Sequence, residues 1–286
     1  MAPEPRYFSG FDAFSAEQRD RLMADALPVH LLPSGETTRS RSDKQRAAVV
    51  CVHGFTGMPY EVMPVAQACA DMGMGAITPL LPGHGYRHRP EQKKQFSRIT
   101  KDGLLAAVRT EVARAKEQYD VVGIYGHSMG GAIALILAAE GLVDACAVSA
   151  PAIKLPWQAD LLVPLIGWIP FTRATPTNDP FYLPSYQFHH SYAVRALWQV
   201  AQQATKQLAE ITCPVLGMHT HHDQTIPPVV LELMQQNIST PLEIEWFDPS
   251  SHAMPLDMKG EAVSKRAAAF LHKQLHASNP CLSLHR

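Results

Sequence analysis

The chain has 286 residues, of which 46% are hydrophobic and 18% charged, and its formal net charge is −1. These values describe a globular chain long enough to bury one large core, and they exclude the disordered, collagenous and strongly basic classes. A charge so near zero offers no electrostatic attraction to nucleic acid or to an anionic membrane surface, so neither is expected as a partner.

Residues 1–28 read as an N-terminal extension. The opening MAPEPRYFSGFDAFSAEQRD has no apolar core and no small-residue cleavage pattern, so no signal peptide is expected. Within it, Ser15-x-x-Gln18 is a capping box that should open a short helix. No apolar run along the chain approaches the ~20 residues of a membrane helix, so no integral membrane segment is expected. Cysteines stand at 51, 69, 146, 213 and 281, scattered and odd in number, two of them in predicted core strands. They read as reduced structural thiols in a cytoplasmic protein.

A first strand is predicted near 29–32, then a polar loop, ETTRSRSDKQR. Three strand–helix pairs follow: 47–52 with 61–72, 76–79 with 99–118, and 121–125 with 130–140. The next strand is 143–149. The alternation lapses across about 152–195, rich in Pro, aromatics and Leu. It resumes with a helix at 193–210, a strand at 215–219, a helix at 229–236, a strand at 242–247 and an amphipathic helix at 260–275. Alternation over this length predicts an α/β fold, a doubly wound and mostly parallel sheet. Its core is assigned to 29–152 and 196–276, with a cap inserted at 153–195 and a tail at 277–286.

The sharpest feature lies between the strand at 121–125 and the helix after it: Gly126-His127-Ser128-Met129-Gly130. A strand-to-helix turn this tight forces Ser128 into strained backbone angles, and glycine two residues either side removes the resulting collisions. The pentapeptide alone is a weak signal; the strand before it and the apolar, buried-type helix after it supply the context. A serine hydroxyl needs a base, and the base an orienting carboxylate. On such a sheet they follow in the order Ser, acid, His, each in a loop after a late strand. Asp223, after the strand at 215–219, and His252, after the strand at 242–247, meet that requirement. The oxyanion needs two N–H donors. One is the Met129 amide at the start of the following helix; the other is the Phe55 amide in His53-Gly54-Phe55-Thr56-Gly57, after the first parallel strand.

Other candidates weigh less. His127 is expected to face away from the serine's partners. His53 and His84 read as hydrogen-bonded turn residues near the site, and His189-His190 as surface. Asp257 follows His252 too closely to be the acid and should begin the last helix. His219-x-His221-x-Asp223 nearly matches a binuclear metal motif, but position 224 is Gln and a metal would leave Ser128 unexplained, so no metal is expected. In the insertion, the apolar run 155–170 is too rich for one thin core. Leu162, Leu165 and Trp168 are expected to form an acyl-binding wall over the serine.

The motifs H-G-F-T-G (53–57), L-P-G-H-G (81–85), G-H-S-M-G-G (126–131), H-x-x-H-D (219–223) and S-S-H-x-x-x-x-D (250–257) together resemble the α/β-hydrolases. Within them the chain is most similar to bacterial carboxylesterases and monoacylglycerol lipases with a small cap, over about 45–276. The resemblance implies cofactor-free hydrolysis of small-molecule carboxylic esters or lipids with medium to long acyl chains. Thioesterase, peptidase, carbon–carbon hydrolase and perhydrolase activities share this fold, as does a non-catalytic ligand-binding role. Oligomeric state has no sequence signal.

Overall fold

Ser15 opens the first helix, α1 (Ala16–Arg21), as its capping box requires. The Gln18 amide donates to Ser15 Oγ at 3.2 Å, and the Ser15 amide donates to Gln18 Oε1 at 2.9 Å. The computed structural model describes residues 6–34, 45–175 and 180–277. Most of the polar loop ETTRSRSDKQR, the tail after 277 and Cys281 lie outside the described residues.

In chain order the elements are β1 (Val29–Leu31), β2 (Ala47–Val52), α2 (Met63–Asp71), β3 (Gly75–Thr78), α3 (Arg89–Phe96), α4 (Lys101–Gln118), β4 (Val121–His127), α5 (Met129–Ala139) and β5 (Ala145–Ser149). Then come α6 (Trp157–Ile166), β6 (Thr172–Ala174), β7 (Phe188–His190), α7 (Ser191–Gln207), β8 (Val215–His219), α8 (Val229–Asn237), β9 (Leu242–Trp246) and α9 (Gly260–His276). Seven strands form one sheet in the order β1-β3-β2-β4-β5-β8-β9. Only β1 runs antiparallel, with Val29 opposite Thr78; the other pairings are parallel. The fold is the doubly wound, mostly parallel α/β architecture expected from the strand–helix alternation.

β2, β5 and β8 are buried at every position, and β4 at all but its first, because both faces of the sheet are covered. Along β2, Ala48, Val50 and Val52 join one core with α4, α5, α7 and α8, while Ala47, Val49 and Cys51 join the other with α2 and α9. Among the described residues four cysteines are present, all free and buried. Residues 6–28 are packed onto the sheet edge. Phe8 exchanges backbone bonds with Leu80, and Phe8, Leu22 and Ala26 share a small core with Met58, Leu80 and Tyr86.

Two differences from the sequence reading have simple causes. Helix α3 was not expected, because RPEQKKQF carries no apolar period and buries only Phe96. The insertion between β5 and α7 has structure of its own: α6, then the antiparallel pair β6–β7 with Thr172 opposite His190. Strands of three residues are too short to leave a period in the sequence.

Candidate active site

β4 delivers its last residue, His127, to the carboxyl end of the sheet, and the chain turns at once into α5. Ser128 stands at that turn with φ 52° and ψ −115°, a left-handed conformation that an L-residue adopts only under strain. A Cβ on Gly126 would lie 2.2 Å from the Gly130 carbonyl oxygen, and one on Gly130 would lie 2.1 Å from that of Val52. Both are backbone collisions that cannot relax, so the turn requires glycine at 126 and 130. The Ser128 amide donates to Ser149 O at 3.0 Å, and its carbonyl accepts from Ala152 at 2.9 Å and Ala132 at 3.1 Å. The neighbouring strand and helix therefore hold the strained residue in place.

Three separate loops converge here. Ser128 Oγ lies 3.1 Å from His252 Nε2, and His252 Nδ1 lies 2.7 Å from Asp223 Oδ2. Asp223 is buried in the loop after β8, and its Oδ1 accepts the Thr225 amide at 2.7 Å and the Ile226 amide at 2.9 Å. Burial works to raise its pKa, but the His252 ring and those amides outweigh it and hold the carboxyl below its ordinary range. A carboxylate so placed can accept a hydrogen bond from His252 Nδ1, the arrangement in which Nε2 would face the Ser128 hydroxyl as an acceptor.

The His252 loop is pinned from both ends. Asp257 Oδ2 accepts from Ser250 Oγ at 2.6 Å and from the Ser251 amide at 2.5 Å. Asp257 lies three residues before α9 rather than beginning it, and it orients the loop without touching the His252 ring. Asp248 ties this loop to the acid loop: its Oδ1 accepts from Thr220 Oγ1 and from the His221 amide, each at 2.8 Å, and its Oδ2 lies 2.6 Å from His221 Nδ1. Those bonds, the His221 pairing foremost, push the Asp248 carboxyl down to about 2. His221 is thereby turned outward onto the Trp246 ring, 3.8 Å between centroids. Among the described residues no group of three or more His, Cys, Asp or Glu side chains is arranged to hold a metal ion.

Of the two expected oxyanion donors, Met129 follows Ser128 directly and Phe55 follows Gly54, where an added Cβ would lie 3.4 Å from Ser128 Cβ. The Met129 amide is in the first turn of α5, at the positive end of a buried helix. Phe55 follows β2 in a loop braced from three sides. His84 Nε2 lies 2.5 Å from the Phe55 carbonyl, the Tyr186 amide donates to Thr56 O at 3.0 Å, and the Gly54 amide donates to Glu61 Oε2 at 2.5 Å. Neither the Phe55 nor the Met129 amide has an acceptor among the described residues.

His53 and His84 are the buried turn residues expected: His53 Nε2 accepts the Leu81 amide at 3.2 Å, and His84 Nδ1 lies 2.9 Å from Pro82 O. Two expectations are corrected. His127 does not face away; its ring lies 5.1 Å from that of His252, and its Nδ1 is 2.9 Å from Ser149 Oγ. Burial, with His252 beside it, lowers its pKa to about 3, so it stays neutral. His190 is buried as the N-cap of α7, and half-buried His189 lies edge-on to the Phe55 ring at 5.4 Å, because β7 folds back beside the loop after β2. Leu162, Leu165 and Trp168 stand open, at 47%, 61% and 60% exposure. The side of α6 that meets the body is instead held by Asp160, which accepts from Lys154, Trp198 Nε1 and Gln202 Nε2. Sequence reading passed over Glu61, Asp248, Ser149 and Tyr186. Each is an ordinary residue type in an ordinary context, and only its tertiary partners distinguish it.

A model of the alpha/beta hydrolase family matches residues 49–266. The thermostable monoacylglycerol lipase of Bacillus sp. (strain H-257) is 28% identical over 237 residues, which is 79% of this chain and 90% of that protein. A carboxylesterase of Bacillus subtilis (strain 168) is 21% identical over 79% of this chain and 92% of its own length. Among solved structures, one from a study of LipS and LipT, two metagenome-derived lipolytic enzymes, superposes with a TM-score of 0.77 at 22% identity, covering 88% of this chain and all of the other.

Proposed function

This chain belongs to the alpha/beta hydrolase family, and we propose that it is a serine esterase with Ser128, His252 and Asp223 as its triad. The observation that carries the reading is the unbroken chain of contacts from Asp223 through His252 to a serine held at positive φ. His252 Nε2 takes the Ser128 proton as Oγ attacks the ester carbonyl. The Met129 and Phe55 amides donate to the oxygen that becomes negative. The tetrahedral adduct collapses when the C–O bond to the alcohol breaks and His252 returns the proton to that oxygen. Water then attacks the acyl-serine, giving its proton to His252, and the acid leaves as the proton passes back to Ser128.

The substrate class we infer is an ester of a medium or long acyl chain, such as a monoacylglycerol. Similar proteins include a monoacylglycerol lipase, and α6 with the residues after it exposes Trp157, Leu161, Leu162, Leu165, Trp168, Ile169 and Phe171. An acyl chain laid on Leu162, Leu165 and Trp168 would remove from water a surface that a soluble monomer rarely leaves open. The test is turnover of p-nitrophenyl esters from acetate to octanoate beside monoacylglycerols, thioesters and amides. A burst of p-nitrophenol and labelling of Ser128 by a fluorophosphonate are expected, with kcat/KM rising several-fold from acetate to octanoate. Labelling elsewhere, or hydrolysis confined to amides, would overturn the assignment.

A further inference from the structure

Glu61 is buried, and its pairing and the Gly54 and Gly57 packing around it all lie in the loop after β2. That loop carries one proposed oxyanion donor and passes directly beside the nucleophile. A Cβ added to Gly54 would lie 3.0 Å from Glu61 Oε2 on one side and 3.4 Å from Ser128 Cβ on the other. A Cβ on Gly57 would lie 2.7 Å from the same Oε2. The carboxyl therefore fills the hollow that the two glycines leave inside the loop, and it accepts the Gly54 N–H at 2.5 Å. Without it that amide would be buried with no acceptor, and the peptide before Phe55 would be free to rotate.

We propose that Glu61 is a positioning residue of the oxyanion hole. By filling the hollow and accepting the Gly54 amide, it holds the next amide, that of Phe55, facing Ser128. Its part is that of a hydrogen-bond acceptor, which Oε2 can play in the acid or in its anion. Burial pushes its carboxyl up to about 7, against the Gly54 amide and the His252 ring, which pull it down. A neutral acceptor of the same shape should therefore serve. The charged or titratable groups facing it are His252, from the loop before α9, and the Tyr125 hydroxyl on β4. The inference rests on the esterase reading above.

The experiment compares Glu61→Leu, which fills the hollow without an acceptor, and Glu61→Gln, which supplies both. Rates are normalised to active sites counted with a fluorophosphonate. Loss of one oxyanion donor costs about 10²- to 10³-fold in kcat. Glu61→Leu is expected to lower kcat by about 100-fold with KM within about twofold, and to weaken a phenylboronic acid inhibitor, which forms the tetrahedral adduct, by a similar factor. Glu61→Gln should recover kcat to within about tenfold of the parent. Should Glu61→Leu not fold, Gly57→Ala displaces the carboxyl from inside the loop and is expected to show the same split. Unchanged kcat and boronate affinity in a folded Glu61→Leu or Gly57→Ala protein overturns the proposal, as does Glu61→Gln failing as badly as Glu61→Leu. Ser128→Ala, assayed in parallel, separates the two readings. If it still hydrolyses esters, the esterase reading falls; if it is inactive while Glu61→Leu behaves as the parent, only the role of Glu61 falls.

Discussion

The carboxyl end of the sheet and helix α6 both carry residues that drew attention in the sequence, and they differ in what holds them. At the sheet end, Ser128 and Asp223 are buried and clasped by backbone groups, and His252 is held by the Asp223 carboxyl. On α6, only Val163 among the helical residues is buried, and most of the apolar side chains lie open. A residue clasped from several sides has one available geometry, whereas one standing in water is constrained by its helix alone. Substitution should therefore be severe and specific in the first region, and mild and substrate-dependent in the second.

The largest expected effect is that of Ser128→Ala, a loss of about 10⁵-fold or more in kcat with the thermal melting curve retained. Steady-state turnover of p-nitrophenyl butyrate, checked against melting, measures it; a folded and active variant would remove the contrast between the regions. Next is Asp223→Asn, expected to cost about 10⁴-fold because an amide cannot hold the His252 tautomer. Asp257→Asn should cost less than about tenfold, since Asn Oδ1 can still accept from the Ser251 amide. An exchange of these two results would show that the wrong carboxylate has been assigned.

Stability against pH should divide the sheet end itself. His127 and His219, lowered by burial to about 3 and about 4, are neutral in the folded state. Below about pH 6.5 the unfolded chain binds protons that the folded one does not, so these two sites lose stability as pH falls from about 6.5 toward their folded values, and the loss levels off below those. Glu61 has the opposite sign. With its carboxyl raised to about 7, the folded state keeps a proton that the unfolded state releases above about 4.5, so stability falls as pH rises between those values and is level beyond. By linkage the effect is on the order of 3 kcal/mol for His219 and for Glu61 and on the order of 5 kcal/mol for His127. Denaturant midpoints from pH 4 to 9 should show the acid limb flattened in His127→Gln and the neutral limb flattened in Glu61→Gln. Parallel curves for a variant and its parent would mean that the group does not titrate as its burial dictates.

The smallest effects belong to α6. Leu162→Ala, Leu165→Ala and Trp168→Ala should each change stability by no more than about 0.5 kcal/mol, as exposed positions do, while Val163→Ala costs about 1 kcal/mol or more. On activity, at least one of the three exposed substitutions should lower kcat/KM for octanoate several-fold and leave acetate unchanged, since each methylene taken from water is worth roughly 0.8 kcal/mol. Equal losses on both esters would assign these side chains to assembly or stability.

The contrast also explains what was readable in advance. Residues 126–130 announce themselves because a strand, a strained turn and a helix are consecutive in the chain, so the steric demand for glycine is local. Asp223 and His252 were reachable because parallel strands place successive loops at one end of the sheet, which converts order along the chain into nearness in space. His127 was misjudged because which way a side chain leaves a strand end depends on the neighbouring strand's Ser149. Which side of α6 docks was not readable for a related reason. Its residues are apolar on several sides, and the side that docks was settled by Asp160 meeting Trp198 and Gln202 some 40 residues later.

What the sequence determined by itself, then, is whatever depends on local sterics and the repeating pattern of strand and helix: the α/β architecture, the tight turn at Ser128 and the order in which Asp223 and His252 follow it. Tertiary structure alone decided the pairing of distant polar groups. Asp248 and Asp257 were recruited to brace the two loops, and Glu61 was buried beneath the loop after β2 with its carboxyl pushed up to about 7. The physical reason is that a hydrogen bond or a desolvation penalty belongs to a pair of groups or to an enclosure, and neither exists until the chain has closed around it.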